Sequence, residues 1–228
     1  MGARDLDEEG RGVDEFKIVT LAEIHDTVAP LVAALLVRDG FAEVGRLKWV
    51  RSADAPVRQV FSFNQWKGGA VAPSWGISLD FVPHVSGSQL RWHRTPKSAL
   101  LDLRVDSRDP SLDMSYYHGP APIRERAPEV VPRAVAQACD FWGRSRRTED
   151  LLSAFEWLQS YYAAHDGLGF YNFVQHPLAL AFVYARARRV AEAQAELARY
   201  LQGAGLDSAT EDKLRRRMNE QPNKGMKQ

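Results

Sequence analysis

The residue types that most often carry chemistry are sparse in this chain and widely separated. Six histidines and one cysteine are spread along 228 residues. No two histidines have the i, i+4 spacing of a helical metal site. His84 and His93 flank one predicted loop, and Asp80 would complete a metal trio with them. Independent loop histidines explain the same pattern more simply, so we predict no metal site and no cofactor.

Cys139 lies within VAQACDFW, which has the spacing of an apolar helix stripe. No glycine-rich oxyanion loop stands beside it, so we predict a buried structural thiol and not a nucleophile. The segment Tyr116 to Pro120 offers acid–base groups in Tyr117 and His118, although an aromatic lid on a sheet edge explains it as well. Because the sequence has no phosphate loop, dinucleotide fingerprint or hydrolase elbow, a non-enzymatic function is favoured.

Polar and apolar side chains alternate between Val57 and Pro83, VRQVFSFNQWKGGAVAPSWGISLDFVP. Alternation with period two predicts strands that bury one face and expose the other. Small residues such as Ser74 and Gly76 leave room for a ligand to lie against the backbone. The candidate binding residues on this face and in the loops beside it are Arg58, Asn64, Gln65, Trp66, Lys67, Ser78, Asp80, Arg91, His93, Arg94, Tyr117 and His118. Parity places Arg46, Lys48 and Arg104 on the same face.

Two simpler readings of this polar face stay open. The face is either solvated or covered by the C-terminal helices of the chain itself. A basic strip with aromatic residues also suits single-stranded nucleic acid, but Asp80, Asp102 and Asp106 interrupt the strip. We therefore predict another protein, and not nucleic acid, as the partner.

A helix is predicted ahead of the strands. Thr20 and Glu23 have the spacing of a capping box, and Asp39-Gly40 supplies a stop. Pro30 should bend or interrupt the helix. Its apolar stripe consists of Leu21, Ile24, Val28, Leu31, Val32, Leu35 and Leu36. Such a stripe needs an apolar surface, and the dry face of the strands is the nearest one.

The strand pattern predicts an antiparallel sheet with one wet face. Four amphipathic runs are expected, at 41–51, 57–66, 74–81 and 99–106, and a long loop follows at 107–128. The fold class is therefore α+β, with an N-terminal helix packed on a four-stranded antiparallel sheet and a C-terminal helical region. We divide the chain into a disordered tail (1–14), the helix and sheet with the long loop (15–128), the helical region (129–220) and a second tail (221–228).

The helical region begins, on this pattern, with a helix whose first turn contains Pro132. Later helices are predicted after Thr148 and Pro177, and a basic one near the end. The alanine-rich helix from 190 to 201 carries an apolar stripe formed by Ala191, Gln194, Ala195, Ala198 and Leu201. The stretch from Leu178 to Leu201, LALAFVYARARRVAEAQAELARYL, resembles one helix pair of a tetratricopeptide-type repeat, so a helical adaptor that uses this stretch is a further hypothesis.

Charge and hydropathy exclude several classes of protein. The net charge is +1, which favours neither nucleic acid nor a membrane surface as partner. No apolar run reaches the length of a membrane span, and the acidic start lacks the layout of a signal peptide. We expect a cytoplasmic protein of bacterial type, of unknown oligomeric state.

Several motifs occur in an order that resembles a family of small bacterial proteins. They are Gly40-Phe41, then Arg46, then Trp49-Val50-Arg51, then VFSFNQWKGG and WGISLDF. The family is catalogued as a domain of unknown function, of the 4304 type, and the likeness spans roughly residues 31–81. The resemblance would make Gln65 the family glutamine. The family's character is similar to that of toxin-immunity or other interaction proteins.

Two functions follow as hypotheses. The first is a non-enzymatic cytosolic protein-binding module, of immunity or regulatory type, that uses the polar sheet face. The second is a small-molecule-binding protein or hydrolase with a cleft between the sheet and the 107–128 loop, where Tyr117, His118 and Asp80 would converge.

Overall fold

A computed structural model describes residues 19–52, 56–66, 69–87, 89–92, 94–106, 109–117, 119–145, 150–164 and 176–221. Lys67, His93 and His118, three of the candidate binding residues, lie outside the described residues. So do Thr148, the predicted tail 1–14 and all but the first residue of 221–228.

The predicted fold class is confirmed, with one helix before the sheet and the other helices after it. The helices are α1 Leu21–Leu36, α2 Ala121–Gly143, α3 Leu151–Ala164, α4 His176–Arg186, α5 Val190–Ala204 and α6 Ser208–Asn219. The strands are β1 Ala42–Gly45, β2 Lys48–Arg51, β3 Val57–Trp66, β4 Ala70–Leu79, β5 His84–Ser86, β6 Gln89–Arg91, β7 Leu103–Asp106 and β8 Met114–Ser115. Short 3₁₀ turns occupy Val37–Asp39 and Pro110–Leu112.

The antiparallel sheet has more strands than predicted. Its order is β1-β2-β3-β4-β7, and β8 pairs with the start of β4 to make six strands. The run 41–51 is not one strand but a hairpin, because the chain turns at Arg46 and Leu47. Strands β5 and β6 form a separate hairpin.

Helix α1 begins and ends where the sequence predicts. The capping box between Thr20 and Glu23 is complete, and Gly40 adopts a φ of 83° just beyond the 3₁₀ turn. The buried side of α1 is formed by Ile24, Val28, Ala29, Val32 and Leu36. Leu21 and Leu35, which were predicted to share this stripe, are 37% and 40% exposed. Pro30 lies inside the helix without ending it.

Helix α2 starts well before its predicted position. It begins at Ala121, so the second part of the predicted 107–128 loop is helical, and Pro128 and Pro132 both lie within the helix. Proline costs a helix one hydrogen bond and a steric contact. The buried residues on either side of the prolines, among them Ala127 and Val130, hold the helix on the core and offset that cost.

One continuous hydrophobic core joins the apolar face of the sheet to residues of all six helices. Phe61 lies at its centre, with its ring centroid 5.6 Å from that of Phe63 and 6.5 Å from that of Trp142. The stripe predicted for α5 is correct at Leu201 and wrong elsewhere, because the other buried residues of this helix are Ala193 and Leu197. Among the described residues, no helix combines the length and apolar character that crossing a membrane requires.

A cationic cleft on the polar sheet face

The register of the sheet places the predicted polar residues side by side. Lys48 pairs with Ser62, Ser62 with Ser74, and Ser74 with Asp106, so the four form one row across the sheet. Arg58 pairs with Ser78 at one end of the same face. The alternation in the sequence therefore identified this face correctly.

In the part of the chain that the structure describes, the polar face is partly covered, and the segment between β6 and β7 provides this cover next to Val50 and Val60. The segment from Arg94 to Asp102 crosses part of it, and Ala99 and Leu101 pack there on Val50 and Val60. As a result, Ser74 and Ser78 have no exposed surface, although they lie on the face of the sheet that was predicted to contact solvent.

Arg94 fixes the crossing segment to the sheet. It was predicted to lie in an exposed binding loop, but only 6% of the residue is exposed. Its guanidinium forms an ion pair with Asp102 and donates hydrogen bonds to the Ser78 hydroxyl, at 3.4 Å, and the Pro83 carbonyl, at 3.3 Å. The Leu79 backbone N–H also donates to Asp102, at 2.7 Å. Burial raises the pKa of Asp102, while the charge and hydrogen bond of Arg94 oppose that rise.

Gly76 allows the chain to come close to the sheet here. A Cβ at this position would lie far inside van der Waals contact with the Leu103 carbonyl oxygen. The Asp102 backbone N–H donates to the Ile77 carbonyl at 2.8 Å, which fixes the end of the crossing segment. Glycine in this strand therefore marks a close approach of two backbones.

A cleft of about 410 Å³ remains on the uncovered part of the face. Its walls include Arg46, Lys48, Ser62, Asn64, Leu101 and Arg104. Three of these are cations, of which Arg104 is paired with Asp106, and the carboxylate of Asp102, which also lines the cleft, is paired with Arg94. The cleft therefore has a positive electrostatic character.

Lys48 is a half-buried cation of the cleft that differs from Arg104 in its partners. Its ammonium donates to the Ala99 carbonyl, and no ion pair with a carboxylate is found for it among the described residues. Burial lowers the pKa of Lys48 from its ordinary value because removal from water disfavours the charged form. Arg104, in contrast, forms an ion pair with Asp106 at 2.7 Å.

The turn between β1 and β2 directs two of the cations. Leu47, which lies between Arg46 and Lys48, has a φ of 59°. A side chain with a branched γ-carbon adopts this left-handed conformation at a cost of about 1–2 kcal/mol. Leu47 is held there because it is 1% exposed and its carbonyl accepts from the Phe63 N–H at 3.0 Å. Strained backbone of this kind clusters at binding sites.

Polar and aromatic side chains form the rim of the cleft near the end of β3. Asn64 donates to the Ser74 hydroxyl at 2.6 Å, and the hydroxyls of Ser62 and Ser74 are 2.9 Å apart. The Arg104 guanidinium lies 5.3 Å from the centroid of the Trp66 ring. Of these two candidate residues, Asn64 lines the cleft, and Trp66 lies next to it against Arg104.

Other candidate residues lie elsewhere. Arg58 forms an ion pair with Asp80 at the far end of β3. Arg91 is exposed on the β5–β6 hairpin, and Gln65 is exposed but pairs with Val71 on the opposite face of the sheet from Asn64.

Tyr117 and Asp80 do not converge on a common cleft. The Tyr117 ring lies against Gly69, which precedes β4, since a Cβ at Gly69 would collide with that ring. Asp80 follows the last residue of β4, at the other end of the strand. Ten residues of extended strand separate the two positions, about 33 Å. Tyr116 donates to the Trp66 carbonyl at 3.0 Å, so the two tyrosines form an aromatic lid on this hairpin.

The sequence pattern predicts the correct sheet face for Lys48 and Arg46, but neither is among the candidate binding residues. Lys48 appears in the sequence only as an alternating polar residue beside Trp49, and Arg46 is marked only by the family resemblance. Cys139 was predicted to be buried and is exposed. It lies on α2 beside Ala138, but about 100° further around the helix and off the buried stripe.

In the described parts of the chain, no group of three or more histidine, cysteine or acidic residues is placed to hold a metal ion. Burial lowers the pKa of His84, and the charges of Arg94 and Arg91 lower it further, which favours a neutral imidazole.

Comparisons with protein-family models, with curated proteins and with solved structures found no match. The likeness to the domain-of-unknown-function family of the 4304 type stays a prediction, and the geometry of the cleft carries the functional argument.

Proposed function

We propose that this protein is a non-enzymatic, cytosolic protein-binding module whose cationic cleft receives an acidic side chain of its partner. The observation that carries the proposal is Lys48, a half-buried ammonium with a lowered pKa and no ion pair with a carboxylate among the described residues. Holding a cation away from water costs free energy unless an anion compensates it. A carboxylate from outside would supply that compensation.

The remaining groups of the cleft suit the same ligand. Arg46 is exposed beside Lys48, and the Asn64 amide, whose NH₂ group donates to the hydroxyls of Ser62 and Ser74, also lines the cleft. Hydrogen bonds that involve a charged group are about twice as strong as neutral ones. The volume of about 410 Å³ exceeds what one carboxylate side chain needs, and it lies within the range of small-molecule sites, about 300–1,000 Å³. A free dicarboxylate therefore has the same chemistry, and the experiment must separate the two sources.

The surroundings favour a protein as the source. Trp66 is half-buried at the rim, and tryptophan next to arginine is the composition of an interface hot spot. Strand β1 is the outer strand of the sheet and continues the accessible surface beyond Arg46. A partner that places one acidic side chain in the cleft would also contact this edge.

We expect Lys48→Met to weaken carboxylate binding about tenfold, because the variant keeps the length of the side chain and removes the charge. Glutarate, titrated into the high millimolar range, is the probe, and the Asn64 side-chain amide in a ¹H–¹⁵N spectrum is the reporter. Lys97→Met is the matched control, since Lys97 is exposed on the crossing segment and does not line the cleft. Equal loss in both variants would contradict the proposal.

Affinity capture then separates the two sources of the carboxylate. A protein retained from native lysate by wild type and Lys97→Met, but not by Lys48→Met, identifies a protein ligand. Glutarate binding that depends on Lys48, without any protein that shows this dependence, identifies a small acid as the ligand and refutes the protein-binding proposal.

Glutarate affinity should fall as the pH rises from neutral towards about pH 10. The lysine must be protonated to attract the carboxylate, and burial lowers its pKa, so Lys48 loses its charge at a lower pH than an ordinary lysine does. The glutarate titration, repeated across this range, measures the effect. Lys48→Met should show no comparable fall.

A further inference from the structure

A second cleft, on the opposite face of the sheet, is lined by aromatic rings. It has a volume of about 370 Å³ and lies between α2, α3 and the strands β4 and β7. Trp75 and Val105, which pair across the two strands, come from the sheet. The helices contribute Phe141, Trp157 and Tyr161. The site shares no residue with the cationic cleft.

The rings of Phe141, Trp157 and Tyr161 form the helical wall of this cleft, and each ring lies against the next. The centroids of Phe141 and Trp157 are 5.4 Å apart, and those of Trp157 and Tyr161 are 5.2 Å apart with the planes inclined by 22°. Tyr162 anchors this helix to the sheet, because its hydroxyl donates to the Arg104 carbonyl at 2.7 Å. The wall is therefore held in place next to the strands.

Trp75 has a hydrogen-bond donor that nothing in the described structure satisfies. The residue is 2% exposed, and its indole N–H is buried without an acceptor. Trp142, another deeply buried tryptophan of the same core, donates its N–H to the Gly76 carbonyl at 3.0 Å. Buried tryptophan N–H groups usually find a partner, and an unpaired one costs free energy.

We infer that this cleft binds a small planar aromatic molecule that carries a hydrogen-bond acceptor for Trp75. The ring would stack on Trp157 and Tyr161, and a carbonyl oxygen or ring nitrogen would accept from the indole N–H. Gln137 and Asp140 also line the cleft, and an aromatic lining with a few polar groups is the usual composition of a small-molecule site, whose usual range includes this volume. The site is independent of the proposed function.

The test uses the bicyclic ketone indanone and its hydrocarbon counterpart indane, which lacks only the acceptor. The indole N–H signals in a ¹H–¹⁵N spectrum of the full chain report binding, with Trp75→Phe to assign the Trp75 signal. We expect indanone to shift that signal in a saturable manner and to bind about fivefold more tightly than indane. In Trp75→Phe this preference should disappear while both compounds still bind, as read from the Trp157 signal.

Variants of the helical wall test the stacking. Trp157→Ala should weaken indanone about tenfold, and Tyr161→Leu carries the same expectation if the first variant does not fold. Trp92→Ala is the control, because Trp92 lies against Arg217 of α6, outside this cleft. A Trp75 signal that does not move up to the solubility limit of indanone overturns the inference. Equal affinity for indane and indanone in the wild-type protein overturns it as well.

Discussion

Asp102→Ala should lower the free energy of unfolding by about 3–5 kcal/mol. Asp102 is 5% exposed, forms an ion pair with Arg94 and accepts the Leu79 backbone N–H at 2.7 Å. Removing its carboxylate leaves the Arg94 guanidinium, 2% exposed at its side chain, without a counter-charge. Leaving one partner of a buried pair uncompensated costs far more than the intact pair contributes. Urea unfolding followed by circular dichroism measures the loss.

A double variant distinguishes this mechanism from simple loss of packing. Replacing both partners, Arg94→Met with Asp102→Leu, removes the isolated charge and should be less destabilising than Asp102→Ala alone. Asp140→Ala is the surface control, because its ion pair with Arg144 is exposed and should contribute at most about 0.5 kcal/mol. A double variant that is less stable than Asp102→Ala would show that packing, and not the stranded charge, dominates.

The two faces of the sheet could be predicted because period-two alternation is a local property of the chain. Parity alone placed Ser62, Ser74 and Lys48 together, and the structure pairs them in one row. The hairpin at 42–51 was not predicted, because no local sequence pattern indicates its turn. Its turn depends on Leu47 in a left-handed conformation, which the sequence signals for turns do not include.

The route of the segment from Arg94 to Asp102 could not be predicted from local pattern. Its course depends on an ion pair between residues eight positions apart and on hydrogen bonds to residues 23 and 51 positions away in the sequence. Charged residues in loops are usually exposed to solvent, so the sequence alone does not indicate that Arg94 is buried. The same holds for α2, where burial of Ala127 and Val130 outweighs the helix-breaking tendency of Pro128.

The cationic cleft is a consequence of this route. Because the crossing segment covers the part of the face next to Val50 and Val60, it leaves a wall beside Lys48 and provides the Ala99 carbonyl that the ammonium contacts. A flat polar sheet would have left Lys48 in water with an ordinary pKa. The binding proposal therefore depends on the segment staying in place.

Gly76→Ala should displace the crossing segment and destabilise the protein by about 3 kcal/mol or more. The added methyl group would overlap the Leu103 carbonyl, which is backbone and has no rotamer to change, and would touch Leu101. Relief requires β7 to separate from β4, where the Asp102 N–H now bonds to the Ile77 carbonyl. Thermal unfolding and the free energy in urea measure the cost.

Gly45→Ala is the matched control, because Gly45 also lies in a strand of this sheet and a Cβ there would meet no atom within 4 Å. It should leave stability nearly unchanged. If Gly76→Ala folds at all, its Lys48 should lose the Ala99 contact and bind glutarate more weakly, whereas Gly45→Ala should bind as wild type does. Equal stability of the two variants would mean that the backbones at Gly76 and Leu103 are not in close approach, and the wall of the cleft would then have to be formed in another way.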